Sequence, residues 1–357
     1  MRICYFFSNF YLFHLTGQPG IVFRLAKRAA ERGEEVFIIS NGLENKEFKK
    51  EGIDSLLFKG LGNLKTYFLN LPKIINYLRK IKPDIIHAHG GLLIIYTWFI
   101  NRFLGIPMVC SMCETLDIMS AFYKKLLIFC LTRIEKTFVS SKYIKNQLIE
   151  NGVSPNKILV ARIGVNEKFL AETKHFRPDT DVLYFGDSRK RRGFDVIFRL
   201  AQKLPNLKFK ILLRWEGKDC SYQLKQIKKL NNVVVWRYPY SESLSDMILK
   251  SKLVVLPFRW TGVRPPLSLL ESMALGKCVV TSSMEGNEEV VRNENNGVIV
   301  NCNKLDDVAF KLSLLIKNDR ARENLGQKAR KIIKQMYSPE EYNKILNYYS
   351  NLFKKGK

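Results

Sequence analysis

Residues 186–195 read GDSRKRRGFD, where Arg189, Lys190, Arg191 and Arg192 put four cations into one short stretch. Guanidinium groups bind phosphate oxygens in a planar, two-pronged geometry, so the chemistry this stretch suits is holding a diphosphate. An exposed basic loop is the plainer reading of the same residues. Residues 265–280 read PPLSLLESMALGKCVV. On a helical wheel Leu267, Leu270 and Ala274 form one apolar stripe, and Glu271 falls on its edge. A carboxylate turned inward there can accept hydrogen bonds from two vicinal hydroxyls, as on a ribose. The backbone N–H groups of Leu267, Ser268 and Leu269 at the start of the helix suit an anion. A stripe-edge glutamate reaching solvent is the plainer alternative.

Three further groups invite a chemical reading. In DIIHAHG, His87 and His89 are read as pointing to opposite faces of a strand, with His89, nearest the strand end, able to reach a cleft. A core histidine with its hydrogen bonds satisfied is the alternative. Asp179 and Asp181 spell a DxD, a pattern that can hold a metal, but they sit where a linker is expected to end, and no metal is assigned. Cys110 and Cys113 form a CxxC without the second pair a zinc site needs. The seven cysteines are scattered and mostly inside apolar runs, which fits buried thiols in a reducing compartment.

Positioning these groups requires a frame, and the apolar pattern supplies one. Strand-like runs such as RICYFF, EVFIIS, DIIHAH and PMVCSM alternate with amphipathic helical ones such as GIVFRLAKRAAERG. This repeat predicts α/β architecture with parallel, doubly wound sheets. Near residue 165 the rhythm breaks, then restarts with VLYFG, KFKILLRW, VVVWRY, LVVLPF and KCVVTS. The expected domains are 1–165, a linker over 166–180, a second domain over 181–335, and a terminal helix over 336–357 that packs back on the first domain. Ser338, Pro339 and Glu341 read as the capping box of that helix. Ligands of such sheets bind beyond the carboxyl ends of the strands.

The chain has 357 residues, enough for two domains, and a formal charge of +26. A surplus that large favours anionic partners. Neither zinc-finger spacing nor a basic helix before heptads is present, so nucleic acid is not expected as a partner. FSNFYLFHL (7–15), KGLGNLKTYFLNLPK (59–73) and SAFYKKLLIFCLTRIEK (120–136) mix aromatic, aliphatic and basic residues, as surfaces lying on anionic lipid do. MRICYFF reads as a first strand and not as a signal peptide. The expected location is cytoplasmic, peripheral on the inner face of the cell membrane.

The order YFG, RG-FD, PPLSLLESMALGKCVVTS and EGNEEVV, with PDIIHAHG, VSS and IGVNEKF before it, resembles the GT-B glycosyltransferases of the retaining family 4 type across nearly the whole chain. The resemblance implies two Rossmann-like domains facing a central cleft and a nucleotide-diphosphate sugar as donor, with no cofactor. It implies that Arg192 holds the donor diphosphate, Glu271 binds the ribose, Gly20 approaches the phosphates and Tyr238 contacts the base. Gly193, Leu267 and Ser268 fall beside them in the same motifs. Glu289 matches a recurrent glutamate with a structural role. Three departures touch the sugar end of the site. Val263 stands where the first glutamate of E-x7-E belongs, Cys113 where a histidine is common, and Asp187 where an arginine follows the glycine, with Arg189 as a substitute. No side chain is assigned as a catalytic base. The implied function is transfer of a sugar to a lipid-linked or polysaccharide acceptor in cell-envelope glycan synthesis. A GT-B subunit with impaired catalysis and a sugar-nucleotide epimerase are the alternatives.

Overall fold

The computed structural model describes residues 1–10, 18–42, 46–58, 68–172, 174–238 and 241–354. The chain forms two compact units, Met1–Gly164 with Glu340–Lys357, and Val165–Pro339. The first holds a seven-stranded sheet, β1 (Arg2–Phe10), β2 (Glu35–Gly42), β3 (Asp54–Phe58), β4 (Ile85–His89), β5 (Met108–Met112), β6 (Lys136–Val139) and β7 (Ile158–Val160). Its order is β3-β2-β1-β4-β5-β6-β7, parallel throughout. The second holds β8 (Thr180–Asp187), β9 (Phe209–Trp215), β10 (Val233–Arg237), β11 (Ser251–Leu256), β12 (Cys278–Ser282) and β13 (Val298–Val300). Its order is β10-β9-β8-β11-β12-β13, again parallel. Residues of β4, β5 and β12 are buried without a break. Helices covering both faces of a parallel sheet explain why these strands read as continuous apolar runs.

In each sheet the strand order reverses once, between β1 and β4 and between β8 and β11. Connections leave these neighbouring strands in opposite directions and open a crevice at their carboxyl ends. After β8 the helix Phe194–Lys203 buries Phe194, Val196, Ile197, Phe198, Leu200 and Ala201 on its sheet-facing side. After β11 the helix Leu267–Ala274 ends before Gly276, whose φ of 72° suits glycine at a helix stop. The helix Asp319–Met336 crosses that turn at Gly326, where an added Cβ would lie 1.9 Å from the Gly276 carbonyl oxygen. Only a glycine permits this approach, which fixes the end of the helix Leu267–Ala274.

The stretch 166–180 differs from the expected linker. It contains the helix Glu167–Ala171, begins with Asn166 accepting from the Lys168 N–H at 3.1 Å, and belongs to the second unit. Buried Phe169 and contacts with the helix Leu267–Ala274 hold it there. Asp181 lies inside β8 and not before it. The terminal helix also begins later than the capping box suggests, at Tyr342. The Glu341 carboxylate accepts from the Arg162 N–H at 3.2 Å and from Lys344 at 2.7 Å. The segment is anchored in the first unit by the Tyr342 hydroxyl, which donates to the Gly164 carbonyl at 3.0 Å, and by Arg28 donating to Asn343 at 2.9 Å.

Its deepest anchor is Tyr349, fully buried, whose hydroxyl bonds His87 Nδ1. His87 Nε2 bonds the Ser111 hydroxyl at 2.7 Å. His89 stacks on His87 with ring centroids 4.1 Å apart. The two histidines therefore share one face, as residues two apart on a strand must, and the opposite-face reading is corrected. Burial pushes the His89 imidazole down to about 3, and burial followed by the neighbouring His89 pushes His87 well below the ordinary range.

Both rings are neutral in the folded chain, whereas in the unfolded chain they gain a proton below about pH 6.5. Their stabilising effect is complete above that value and declines as the pH falls toward the depressed folded values. For His89 the expected loss at pH 5 is about 2 kcal/mol, and His87 adds to it. Denaturant unfolding at neutral pH and near pH 5 checks this: the midpoint falls on acidification, and falls less in His89→Gln. A midpoint independent of pH in this window contradicts it.

Candidate donor site at the reversal of the second sheet

Tyr184 on β8 is buried, and its hydroxyl donates to the Asp187 carbonyl at 2.6 Å and the Arg192 carbonyl at 3.5 Å. This braces both ends of the turn that follows the strand. The Ser188 N–H bonds the Trp215 carbonyl at 3.0 Å, and the Ser188 hydroxyl accepts from the Gly217 N–H at 2.9 Å. The Asp219 carboxylate accepts from the Lys190 N–H at 2.8 Å. Residues Lys190–Arg192 make one tight helical turn, and Gly193 closes it at a φ of 78°. An added Cβ on Gly193 would lie 1.8 Å from the Pro257 carbonyl oxygen. The loops after β8 and β11 therefore touch through backbone. The Arg191 carbonyl accepts from the N–H groups of Arg259 and Trp260, both at 2.9 Å, and completes the seam.

The cations of the turn are supported from below by rings. The Arg192 guanidinium lies 5.0 Å from the Phe258 ring centroid, Arg191 5.2 Å from Trp260, and Arg189 5.6 Å from Trp215. Arg189 is 3.8 Å from the Asp187 carboxylate. Lys190, Arg191 and Arg192 form no ion pair among the described residues, in contrast to Arg259, whose guanidinium grips the Asp195 carboxylate at 2.8 Å. Partial burial, then the neighbouring Arg189 cation, lowers the Arg191 pKa from its ordinary value. This is a concentration of positive charge that an anion would relieve.

The loop after β11 leads into the helix Leu267–Ala274. Thr261 donates to the Val263 carbonyl at 2.9 Å. Arg264 is buried, 3.4 Å from the Glu285 carboxylate, and packs on Gly286. Pro266 precedes the helix, and no side chain caps it. Its first-turn N–H groups thus suit an external acceptor. Leu267 and Ser268 are half-buried, and the Ser268 hydroxyl has no hydrogen-bond partner among the described residues. Glu271 is only 8% exposed. The apolar stripe expected through Leu267 is wider in fact. Leu269, Leu270 and Met273 are fully buried, because the helix is enclosed by β12 and two helices. Glu271 is therefore an enclosed carboxylate, and the solvent-reaching alternative is excluded.

The fold thus gathers Arg189, Arg192, Gly193 and Val263 on two adjoining loops, with Leu267 and Ser268 in the first helical turn that follows, at the β8–β11 reversal. Tyr238, 36% exposed, follows β10, the far edge strand, and its N–H bonds the Leu213 carbonyl at 2.8 Å. Glu289 is half-buried in the turns after β12. Gly20, His89 and Cys113 belong to the first unit. Gly20 lies in the first turn of the helix Gln18–Glu31 and not in a loop. His89 and Cys113 line a small cavity of about 20 Å³, and His89 Nε2 has no hydrogen-bond partner among the described residues. Burial, then Glu114, pushes the Cys113 thiol up to about 12, so it is no nucleophile at neutral pH. Asp179 and Asp181 are engaged by Lys210 at 3.2 Å and Lys252 at 2.8 Å. Missed from the sequence were Arg259, Arg264 and the aromatic supports Phe258 and Trp260. The aromatic residues directly after LVVLP were the available signal.

Gly193→Ala is expected to retain the fold of the second unit but to weaken binding of a nucleoside diphosphate at least tenfold, because the Cβ pushes the turn off Pro257. Calorimetric titration beside thermal unfolding checks it. Unchanged affinity would separate the turn from the ligand.

The family model described as "Glycosyl transferases group 1" matches residues 165–332, and that described as "Glycosyltransferase Family 4" matches residues 16–169. A glycosyltransferase of Methanocaldococcus jannaschii without assigned function is 29% identical over 64% of this chain and 62% of its own length. The Escherichia coli UDP-Gal:α-D-GlcNAc-diphosphoundecaprenol α-1,3-galactosyltransferase is 24% identical over 79% of each chain. The structure of Anabaena HepE in complex with UDP-glucose superimposes with a TM-score of 0.81 at 14% identity, over 98% of this chain and all of that one. With two Rossmann-like units, a reversal-point site and both family models matched in sequence, this chain belongs to the GT-B glycosyltransferases of the group 1/family 4 type.

Proposed function

We propose that the protein is a retaining glycosyltransferase that takes a sugar from a nucleotide-diphosphate donor and places it on a lipid-linked or polysaccharide acceptor of a cell-envelope glycan. The observation that carries this reading is the turn Lys190–Gly193, which holds three cations without an ion-pair partner among the described residues against the loop leading to a helix that no side chain caps. A diphosphate leaving an anomeric carbon takes the bonding electron pair and gathers negative charge. Arg192 and its neighbours, with the N–H groups of Leu267 and Ser268, stabilise that charge. Glu271, one turn further along, accepts from the two ribose hydroxyls. The acceptor hydroxyl oxygen bonds the anomeric carbon on the face the diphosphate leaves, and its proton passes to the departing diphosphate oxygen. The name of the E. coli relative, which specifies a diphosphoundecaprenol-linked acceptor, supports the acceptor class.

Val263 favours a second reading, a subunit that binds the nucleotide sugar with impaired catalysis, since the position expected to supply a carboxylate to the sugar is aliphatic. A thermal-shift panel with the diphosphates of uridine, guanosine, adenosine, cytidine and thymidine tests the donor site common to both. One of them is expected to stabilise the native chain by roughly 2.7 kcal/mol at about 100 times its dissociation constant, and Glu271→Ala to respond far less. Hydrolysis or transfer from the matching nucleotide sugar then separates enzyme from impaired subunit. Equal responses of native and mutant chains would overturn the role of Glu271.

A further inference from the structure

The helices Gly91–Asn101 and Ala121–Leu131 of the first unit follow β4 and β5 and pack against each other. Crossover helices normally turn polar residues to solvent. These do not. Leu92 and Phe99 on the first, Phe103 just past its end, and Phe122 and Phe129 on the second are exposed, Phe103 by 79% and Phe122 by 78%. Leu92 and Phe99 are seven residues apart, as are Phe122 and Phe129, so each pair lies on one side of its helix. Trp98 joins the two helices, with its ring centroid 5.1 Å from Phe99 and 5.5 Å from Phe129. Phe68, exposed by 61%, extends the surface through an edge-on contact with Tyr96 at 5.2 Å. Exposed aromatics gathered on two packed helices mark a docking surface.

The charges around it identify the occupant. Residues 91–113 and 118–134 contain no aspartate or glutamate. They carry Arg102, Lys124, Lys125 and Arg133, and Lys73 with Arg79 lie on the helix Leu71–Ile81 that follows Phe68. The Arg133 guanidinium sits 3.6 Å from the Phe129 ring centroid and Arg102 5.9 Å from Trp98, so cations and aromatics occupy the same surface. No helix among the described residues is long and apolar enough to cross a membrane. Of the stretches read from sequence as lipid-facing, 120–136 forms part of this face; residues 11–17 and 59–67 lie outside the described residues, as do the side chains of residues 8–10.

We infer that this face docks the first unit on an anionic lipid bilayer. The aromatics enter the headgroup boundary while the cations engage lipid phosphates. A protein partner large enough to cover the aromatics would need carboxylates facing the cations, whereas a bilayer supplies both an apolar interior and anionic charge at one boundary. The inference stands independently of the donor chemistry, because its readout needs no nucleotide.

Flotation of the full chain with vesicles of phosphatidylcholine, alone or mixed with phosphatidylglycerol, tests it. Binding is expected to the mixed vesicles and to weaken near 1 M salt, where screening shortens to about 3 Å. Each cation near the surface contributes roughly fivefold, so Lys124→Glu with Lys125→Glu is expected to lower partitioning more than tenfold. Phe99→Ser with Phe122→Ser is expected to lower it without lowering the thermal midpoint, since both side chains are exposed; a variant that unfolds is replaced by Phe103→Ser, more exposed still. No binding to mixed vesicles, equal binding to both vesicle types, binding to duplex DNA in their place, or a dimer lost with these substitutions would each overturn the inference.

Discussion

The candidate donor site depends on one backbone contact, the approach of Gly193 to the Pro257 carbonyl. Neighbouring parallel strands bring the ends of β8 and β11 side by side, but adjacency alone does not fix two loops. The missing Cβ lets the chain after β8 fold down on the chain after β11, and the Arg191 carbonyl then accepts two hydrogen bonds from Arg259 and Trp260. From this seam follow the ring supports under Arg191 and Arg192. The same principle recurs where Gly326 meets Gly276 and fixes the far end of the helix that carries Glu271. Glycine here provides close approach, and the side chains around it inherit their positions.

Electrostatics sort the basic residues by what they face. Lys210, Lys252, Arg259 and Arg264 are matched to Asp179, Asp181, Asp195 and Glu285 and hold the unit together. Partly exposed pairs of this kind add little stability individually. Lys190, Arg191 and Arg192, at the reversal of the sheet, have no ion-pair partner among the described residues. A chain with a formal charge of +26 thus concentrates unmatched cations on the turn after β8 and also carries cations around the aromatic face of the first unit.

Much of this was legible in the sequence because parallel strands covered on both faces announce themselves as apolar runs. Glu271 was legible because a carboxylate on an apolar stripe requires an explanation. The histidine pair was misread: residues two apart on a strand share a face, and the stacked rings of His87 and His89 show it. The helix inside the expected linker was not legible, because these five residues, Glu167–Ala171, are held by packing and a single asparagine cap, neither visible as periodicity. The capping box failed because Glu341 found Arg162, 179 positions away in sequence. Pairing of this range decides which arginines are matched, so Arg259 and Arg264 could not be told from Arg191 and Arg192 by sequence. Strands β3, β7 and β13, at sheet edges, passed unnoticed: β7 and β13 have three residues each, and β3 is only partly buried.

The central claim is that the turn after β8 reads the second phosphate of the donor. The most direct measurement is a calorimetric cycle that compares a nucleoside monophosphate with its diphosphate on the native chain and on Arg192→Ala. The account predicts that the substitution costs about 1.5–3 kcal/mol for the diphosphate, as expected for a lost charge-assisted hydrogen bond, and little for the monophosphate. Equal weakening of both ligands, or of neither, would contradict it.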